Sequence, residues 1–109
     1  MPDRKTVIRY CLSLENTYED YPFHDPNWTV MRHKHNKKAF AFIFERNGYI
    51  WVNVKCNLEW RDLWRNTFQS VVPGYHMNKK HWNSIILDGT VPEADVKIMI
   101  AESYDITKC

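Results

Sequence analysis

Glycine and cysteine are scarce in this chain of 109 residues, with three of each, and the formal net charge is only +2. Gly48, Gly74 and Gly89 all stand in turn contexts (Asn47-Gly48, Pro73-Gly74, Asp88-Gly89), so there is no glycine-rich phosphate loop. Cys11, Cys56 and Cys109 are odd in number, far apart and without a C-x-x-C pair. That pattern argues against a disulfide framework and for a reducing cytoplasm. No apolar run approaches the roughly 18 to 20 residues a membrane span requires. The N-terminus reaches Asp3, Arg4 and Lys5 at once and lacks the apolar core of a signal peptide. A soluble, cytoplasmic protein away from the membrane is expected. So small a net charge creates no global field that would call for a polyanion, and any nucleic-acid reading depends on where the charge sits.

Aromatic residues, by contrast, are plentiful: they make up 15% of the chain and include five tryptophans. Rings bury large areas and let one small domain build a core, or they serve a working surface. The length fits a single domain over residues 1–109. There are no repeats and no low-complexity segments.

Val7, Ile8, Cys11 and Leu12 form an apolar stripe that predicts a helix over 3–16, with Asp3 as N-cap. Residues 17–27 hold two prolines and several turn formers and read as a loop lying against the domain. Residues 28–33 alternate as a first strand. Ala39–Glu45 and Tyr49–Cys56 are the clearest strands, and Asn47-Gly48 between them suits a type I′ hairpin turn. A two-residue turn pairs Arg46 with Tyr49, which sets Phe44 opposite Trp51, Phe42 opposite Asn53 and Phe40 opposite Lys55 on one face. Ile43 then meets Val52, and Ala41 meets Val54, on the other. The aliphatic face suits a core beneath helices. The face carrying Phe40, Phe42, Phe44 and Trp51 is either an exposed aromatic platform or is itself buried, for instance under the 17–27 loop.

Asn57 caps a second predicted helix over 58–69, striped by Trp60, Leu63, Trp64 and Phe68. The stretch from Val72 to Gly89 reads as two short strands joined tightly at Asn78-Lys79. Pro92, Glu93 and Asp95 open a third helix, striped by Val96, Met99, Ile100 and Tyr104. The expected order is α-β-β-β-α-β-β-α. This is an α+β fold, a two-layer, five-stranded, mostly antiparallel sheet with three helices on one face.

The groups that could carry chemistry are few. His33 and His35 lie two apart, and His76 and His81 lie in the later hairpin, but no H-x-x-x-H pair or cysteine at ligand spacing completes a metal set. Neither Cys56 nor Ser84 stands in a nucleophile elbow. No catalysis, metal or cofactor is expected. The basic residues offer more. Arg32, Lys34, Lys37 and Lys38 surround one turn, with His33 and His35 among them. His76, Asn78, Lys79, Lys80, His81 and Trp82 surround the other, and Lys55 lies beside the aromatic face. Cations for phosphates next to rings and amides for bases form a layout suited to nucleic acid. The competing readings are lysines that merely keep turns soluble, and a His-Asn-Lys-His-Trp set that braces its hairpin by hydrogen bonds.

The run Pro73-Gly74-Tyr75-His76-Met77-Asn78-Lys79-Lys80-His81-Trp82-Asn83, followed by Leu87-Asp88-Gly89 and Ser103-Tyr104, resembles the signature of the MmcQ/YjbR family. The likeness extends from Tyr10-Cys11-Leu12 through Phe40-Ala41 and Val54-Lys55. The resemblance implies a small bacterial α+β domain with a fold likened to CyaY and to secretion chaperones. It also implies DNA binding through a "double wing" of hairpins. Two partners are therefore expected in the alternative: DNA, contacted by the basic residues, or a protein or small ligand taken up on the Phe40, Phe42, Phe44 and Trp51 face. A monomer is expected.

Overall fold

The computed structural model describes residues 2–109. The order is α1 (Arg4–Ser13), β1 (Thr17–Asp20), β2 (Thr29–His33), β3 (Ala39–Arg46), β4 (Tyr49–Lys55), α2 (Leu58–Thr67), β5 (Val71–Pro73), β6 (Trp82–Ile86) and α3 (Glu93–Thr107). One sheet runs β1-β2-β3-β4-β6-β5, and every neighbouring pair is antiparallel. The α+β class holds, with six strands in place of the expected five.

The additional strand is β1, which lies in the stretch read as a loop. Asn16 takes a left-handed φ of 58°, turning the chain from α1 directly into the sheet edge. The Thr17 hydroxyl secures the corner by donating to the carbonyls of Cys11 and Leu14, both at 3.0 Å. An edge strand draws its stability from its ladder and cross-strand pairs, not from its own periodicity. Here the Arg32–Asp20 ion pair at 2.8 Å supplies one such link.

The β3–β4 hairpin has the expected register: Arg46 pairs Tyr49, Phe44 pairs Trp51, Phe42 pairs Asn53, Ile43 pairs Val52 and Ala41 pairs Val54. Asn47 and Gly48 take φ of 55° and 81°, as a type I′ turn demands. Ala41, Ile43, Val52, Val54 and Ile85 form the sheet's side of the main core, closed by Val7 and Cys11 of α1, Trp64 of α2, and Val96, Met99, Ile100 and Tyr104 of α3. Burying each of the valine and isoleucine side chains contributes about 1.5–3 kcal/mol.

Phe40 does not follow its predicted face. The β2–β3 register slips between Met31 and Arg32, so Met31 pairs Ala41 while Arg32 pairs Ala39. This bulge leaves Phe40 as the extra residue and turns it to the helix side, where it meets Tyr104 edge-on at 5.5 Å. The predicted Phe40–Lys55 pair is absent from the ladder.

Two further expectations change. Trp60 and Leu63 are exposed, because α2 lies over the narrow β5–β6 edge and only Trp64 reaches the core. The expected tight turn at Asn78-Lys79 is a longer connection, residues 74–81. Asn78 organises it: its carbonyl accepts from the His81 and Trp82 N–H groups, and its Oδ1 accepts from the Lys80 N–H at 3.0 Å. The polar residues read as strand are used by the loop itself.

Candidate functional site

Antiparallel order brings the two basic turns to the same end of the sheet. The β2–β3 turn, residues 34–38, sits where β2 ends and β3 begins. Lys55 ends β4 at that edge, and residues 79–81 lead into β6 beside it, with Lys55 paired to Trp82. From β3 to β6 is two interstrand steps, roughly 10 Å. Lys34, Lys37, Lys38, Lys79 and Lys80 are exposed, while Lys55 is half-buried. Among the described residues, Lys34, Lys55, Lys79 and Lys80 form no ion pair with a carboxylate.

Each turn is held through its backbone carbonyls and by polar side chains of its own or of neighbouring elements, and of the turn lysines Lys38 is itself tied down. In the first, Lys37 takes φ of 61° and its carbonyl accepts from Arg32 at 2.9 Å. Asn36 donates to the Thr107 carbonyl at 3.1 Å, and the His35 ring lies 2.6 Å from the Lys108 carbonyl, so the turn is tied to the end of α3. Lys38 Nζ donates to the Cys109 carbonyl at 2.5 Å. Arg32 is committed to Asp20 and the turn; His33 is buried with its Nε2 2.9 Å from Thr107 Oγ1. Burial, with the neighbouring His35 charge, holds the His33 pKa below its ordinary value.

In the second, two arginines of α2 grip the loop. Arg61 Nη1 donates to the Lys80 carbonyl at 3.0 Å, and Arg65 Nη2 donates to the Lys79 carbonyl at 2.5 Å. Asn83, wholly buried, accepts from Arg65 Nε at 2.6 Å and donates to the Arg61 carbonyl at 3.2 Å. Arg61 and Arg65 are not among the residues expected from sequence. Their only signal is the i, i+4 spacing, which places two guanidiniums on one side.

The aromatic face is covered. Phe44 is 1% exposed, stacked between Trp28 at 4.2 Å and Tyr75 at 5.6 Å, and Trp51 is 7% exposed. The Arg46 guanidinium lies 4.9 Å over the Trp51 ring and 4.5 Å over the Tyr75 ring. Tyr75 is seated by a buried polar set: its N–H donates to Ser84 Oγ at 2.8 Å and its carbonyl accepts from Asn53 Nδ2 at 2.9 Å. Gly74 leads into this loop so close to Trp82 that an added Cβ would lie 2.8 Å from the Trp82 Cβ. Of the predicted platform only Phe42 stays half-exposed, edge-on to Trp82 at 5.6 Å. Beside it a cleft opens between the 23–28 and 75–77 loops. Its apolar part holds about 260 Å³ and is lined by Phe23, Asp25, Trp28, Phe42, His76 and Met77. The exposed His76 takes a left-handed φ of 60° at its rim, away from the lysines. A larger hollow, about 750 Å³, lies between the start of α1 and the β3–β4 turn, and no predicted site residue lines it.

No three of His, Cys, Asp and Glu gather as a metal set among the described residues. Cys11 and Cys56 are buried thiols, their pKa pushed up to about 12 and about 11 chiefly by desolvation. No described helix is long and apolar enough to cross a membrane.

A small α+β domain with a single antiparallel sheet, three helices on one face and a basic end defines the structural class. Its kinship is specific: the YjbR family model matches residues 12–106, and the chain belongs to that family. It is 34% identical over 119 residues to YyaQ of Bacillus subtilis, covering 99% of this chain and all of that one. It is 26% identical to YjbR of Escherichia coli K12 over 98 residues, covering 90% of this chain and 80% of the relative. The crystal structure of the Deinococcus radiodurans protein DR2400 superposes with a TM-score of 0.88 at 29% identity, covering 97% of this chain and 78% of that one. A crystal structure of a Pseudomonas syringae protein matches with a TM-score of 0.85 at 25% identity, covering 96% and 98%.

Proposed function

We propose that the protein is a cytoplasmic DNA-binding module that grips the phosphate backbone with the basic end of its sheet and does no catalysis. The observation that carries this reading is the arrival of Lys34, Lys37, Lys38, Lys55, Lys79 and Lys80 at one end from separate segments. Lysines on backbone-anchored turns present charge at fixed spacing, and a span of roughly 10 Å is comparable with the ~12 Å width of a major groove. In this reading the two turns are the wings. Trp82 and His81 lie between them and add contact area, while Phe44 and Trp51 act from beneath as packing. Contacts made by lysine to phosphate carry little sequence information, so the module has modest affinity and low base specificity. Three free cysteines suit a reducing compartment.

The rival reading, capture of a protein or small ligand on the Phe40, Phe42, Phe44 and Trp51 face, loses its surface because three of those four side chains are buried.

Fluorescence anisotropy of a labelled duplex, titrated from low to physiological salt, tests the proposal. Log affinity should fall linearly with log salt at a slope of roughly −0.9 per phosphate contacted. Lys79→Ala with Lys80→Ala should weaken binding to all sequences alike. Absence of binding to duplex and single-stranded DNA at low salt would refute it.

A further inference from the structure

The cleft between the 23–28 and 75–77 loops has a composition unlike the rest of the surface. Its lining is almost wholly aromatic and aliphatic, and Asp25 is its one carboxylate. Phe23 stands edge-on to Trp28, with ring centres 6.3 Å apart and planes at 81°, so the two rings turn faces in different directions. His76 adds another ring 6.3 Å from Trp28, at 50° to it. Holding a residue other than glycine at a φ of 60° costs free energy, and such strain concentrates where a loop is shaped for a purpose. Asp25 is positioned by accepting the Asn27 N–H on Oδ1 at 2.9 Å, and no cation pairs with it among the described residues.

We propose that this cleft binds a small organic cation, an ammonium group packed against Trp28, Phe23 and Phe42 with the Asp25 carboxylate as counter-charge. The faces of aromatic rings carry negative potential and attract ammonium groups, most strongly at tryptophan. The same ring layer already holds one cation in this way, since the Arg46 guanidinium lies over Trp51 and Tyr75. A neutral guest would leave the carboxylate unused, and an anion would meet repulsion from both rings and carboxylate. The volume of about 260 Å³ falls just below the ~300–1,000 Å³ of drug-sized sites, which fits a free metabolite-sized amine in place of a peptide segment. The cleft is separate from the basic end, and its occupancy does not depend on DNA binding.

Titration with choline, followed through the indole N–H signals of the five tryptophans by NMR, tests the assignment. The Trp28 signal should shift and saturate in the millimolar range, while 3,3-dimethyl-1-butanol, the neutral carbon analogue of choline, binds about tenfold more weakly. Asp25→Asn and Phe23→Ala both change exposed side chains, so the fold should persist with an unchanged melting temperature while choline affinity falls. The Lys79→Ala, Lys80→Ala variant should bind choline normally, which separates this site from the proposed DNA interface. Equal binding of the neutral analogue, indifference to Asp25→Asn, or no Trp28 shift at about 50 mM choline would overturn the proposal. Tighter binding of a trimethyllysine peptide than of choline would overturn the choice of a free small molecule.

Discussion

Ser84 and Asn53 face each other across the β4–β6 ladder, both wholly buried, with Ser84 Oγ donating to Asn53 Oδ1. Between them they satisfy both backbone groups of Tyr75, and so fix the loop that covers the outer face of the sheet. Asn53→Ala would leave the Tyr75 carbonyl without its side-chain donor and Ser84 without its acceptor. A loss of about 1–3 kcal/mol is expected, read as a lower melting temperature and faster amide exchange across residues 74–78.

The basic end should behave as one surface. Removing Lys34 and Lys37, or Lys79 and Lys80, should each reduce the salt slope of DNA binding by roughly 0.9 for every phosphate no longer neutralised, and the reductions should add. Lys5→Ala, at the far end near the β3–β4 turn, should leave the slope unchanged. All these exposed changes should alter stability by less than about 0.5 kcal/mol.

His33 gives the fold a defined response to acid. Its folded pKa lies below the ordinary 6.5 because burial disfavours the charged ring. As pH falls below 6.5, the unfolded chain therefore takes up a proton that the folded chain refuses. Stability drops through that window and levels off once the folded pKa is passed. Thermal melts from pH 7.5 to about pH 5 should show this slope in the native protein and a flatter one in His33→Gln, whatever the variant's overall stability. Asp3 and Asp88, whose pKa values hydrogen bonds hold below 3.8, respond only in a lower window.

The three thiols should differ in reactivity. Cys11 and Cys56 are buried, with their thiolates disfavoured, whereas Cys109 is exposed. A thiol reagent at pH 8 should modify Cys109 quickly and the other two only at the rate of unfolding, as mass spectrometry of timed samples would show.

Gly74→Ala tests the close approach at the start of the loop. The new Cβ would lie 2.8 Å from the Trp82 Cβ and 3.0 Å from its carbonyl oxygen, and the backbone atom cannot move aside cheaply. About 1–3 kcal/mol of destabilisation is expected, measurable by denaturant melting. Gly48→Ala has open space around its Cβ and should cost only the strain of a left-handed φ.

The parts of the fold legible in the sequence are those specified locally. Asn47-Gly48 determines a whole hairpin, register included, because a two-residue turn leaves no freedom in pairing. Asp3 can be read as a cap, and its side chain does accept the Thr6 N–H at 2.7 Å. Features created by distant partners are not legible. β1 exists through its ladder with β2, and Phe40 changes face through a bulge that depends on Arg32 and Tyr104. Phe42, Phe44 and Trp51 do share one face of the hairpin, but its cover comes from Trp28 and Tyr75, and no periodicity links those two to Phe44. The lysines of the candidate site can be named from sequence; their meeting at one end requires the strand order.

The grip of Arg61 and Arg65 on the Lys79 and Lys80 carbonyls gathers four basic residues at one short connection, and of these only Arg61 forms an ion pair among the described residues, with Asp62 at 2.9 Å. Like charges confined this way repel, and the folded state carries that repulsion while the unfolded chain relaxes it. Any polyanion that screens the cluster favours the folded chain by mass action, so heparin or duplex DNA should raise the melting temperature. The charges that would attract a ligand are then also a small internal stress that the ligand relieves.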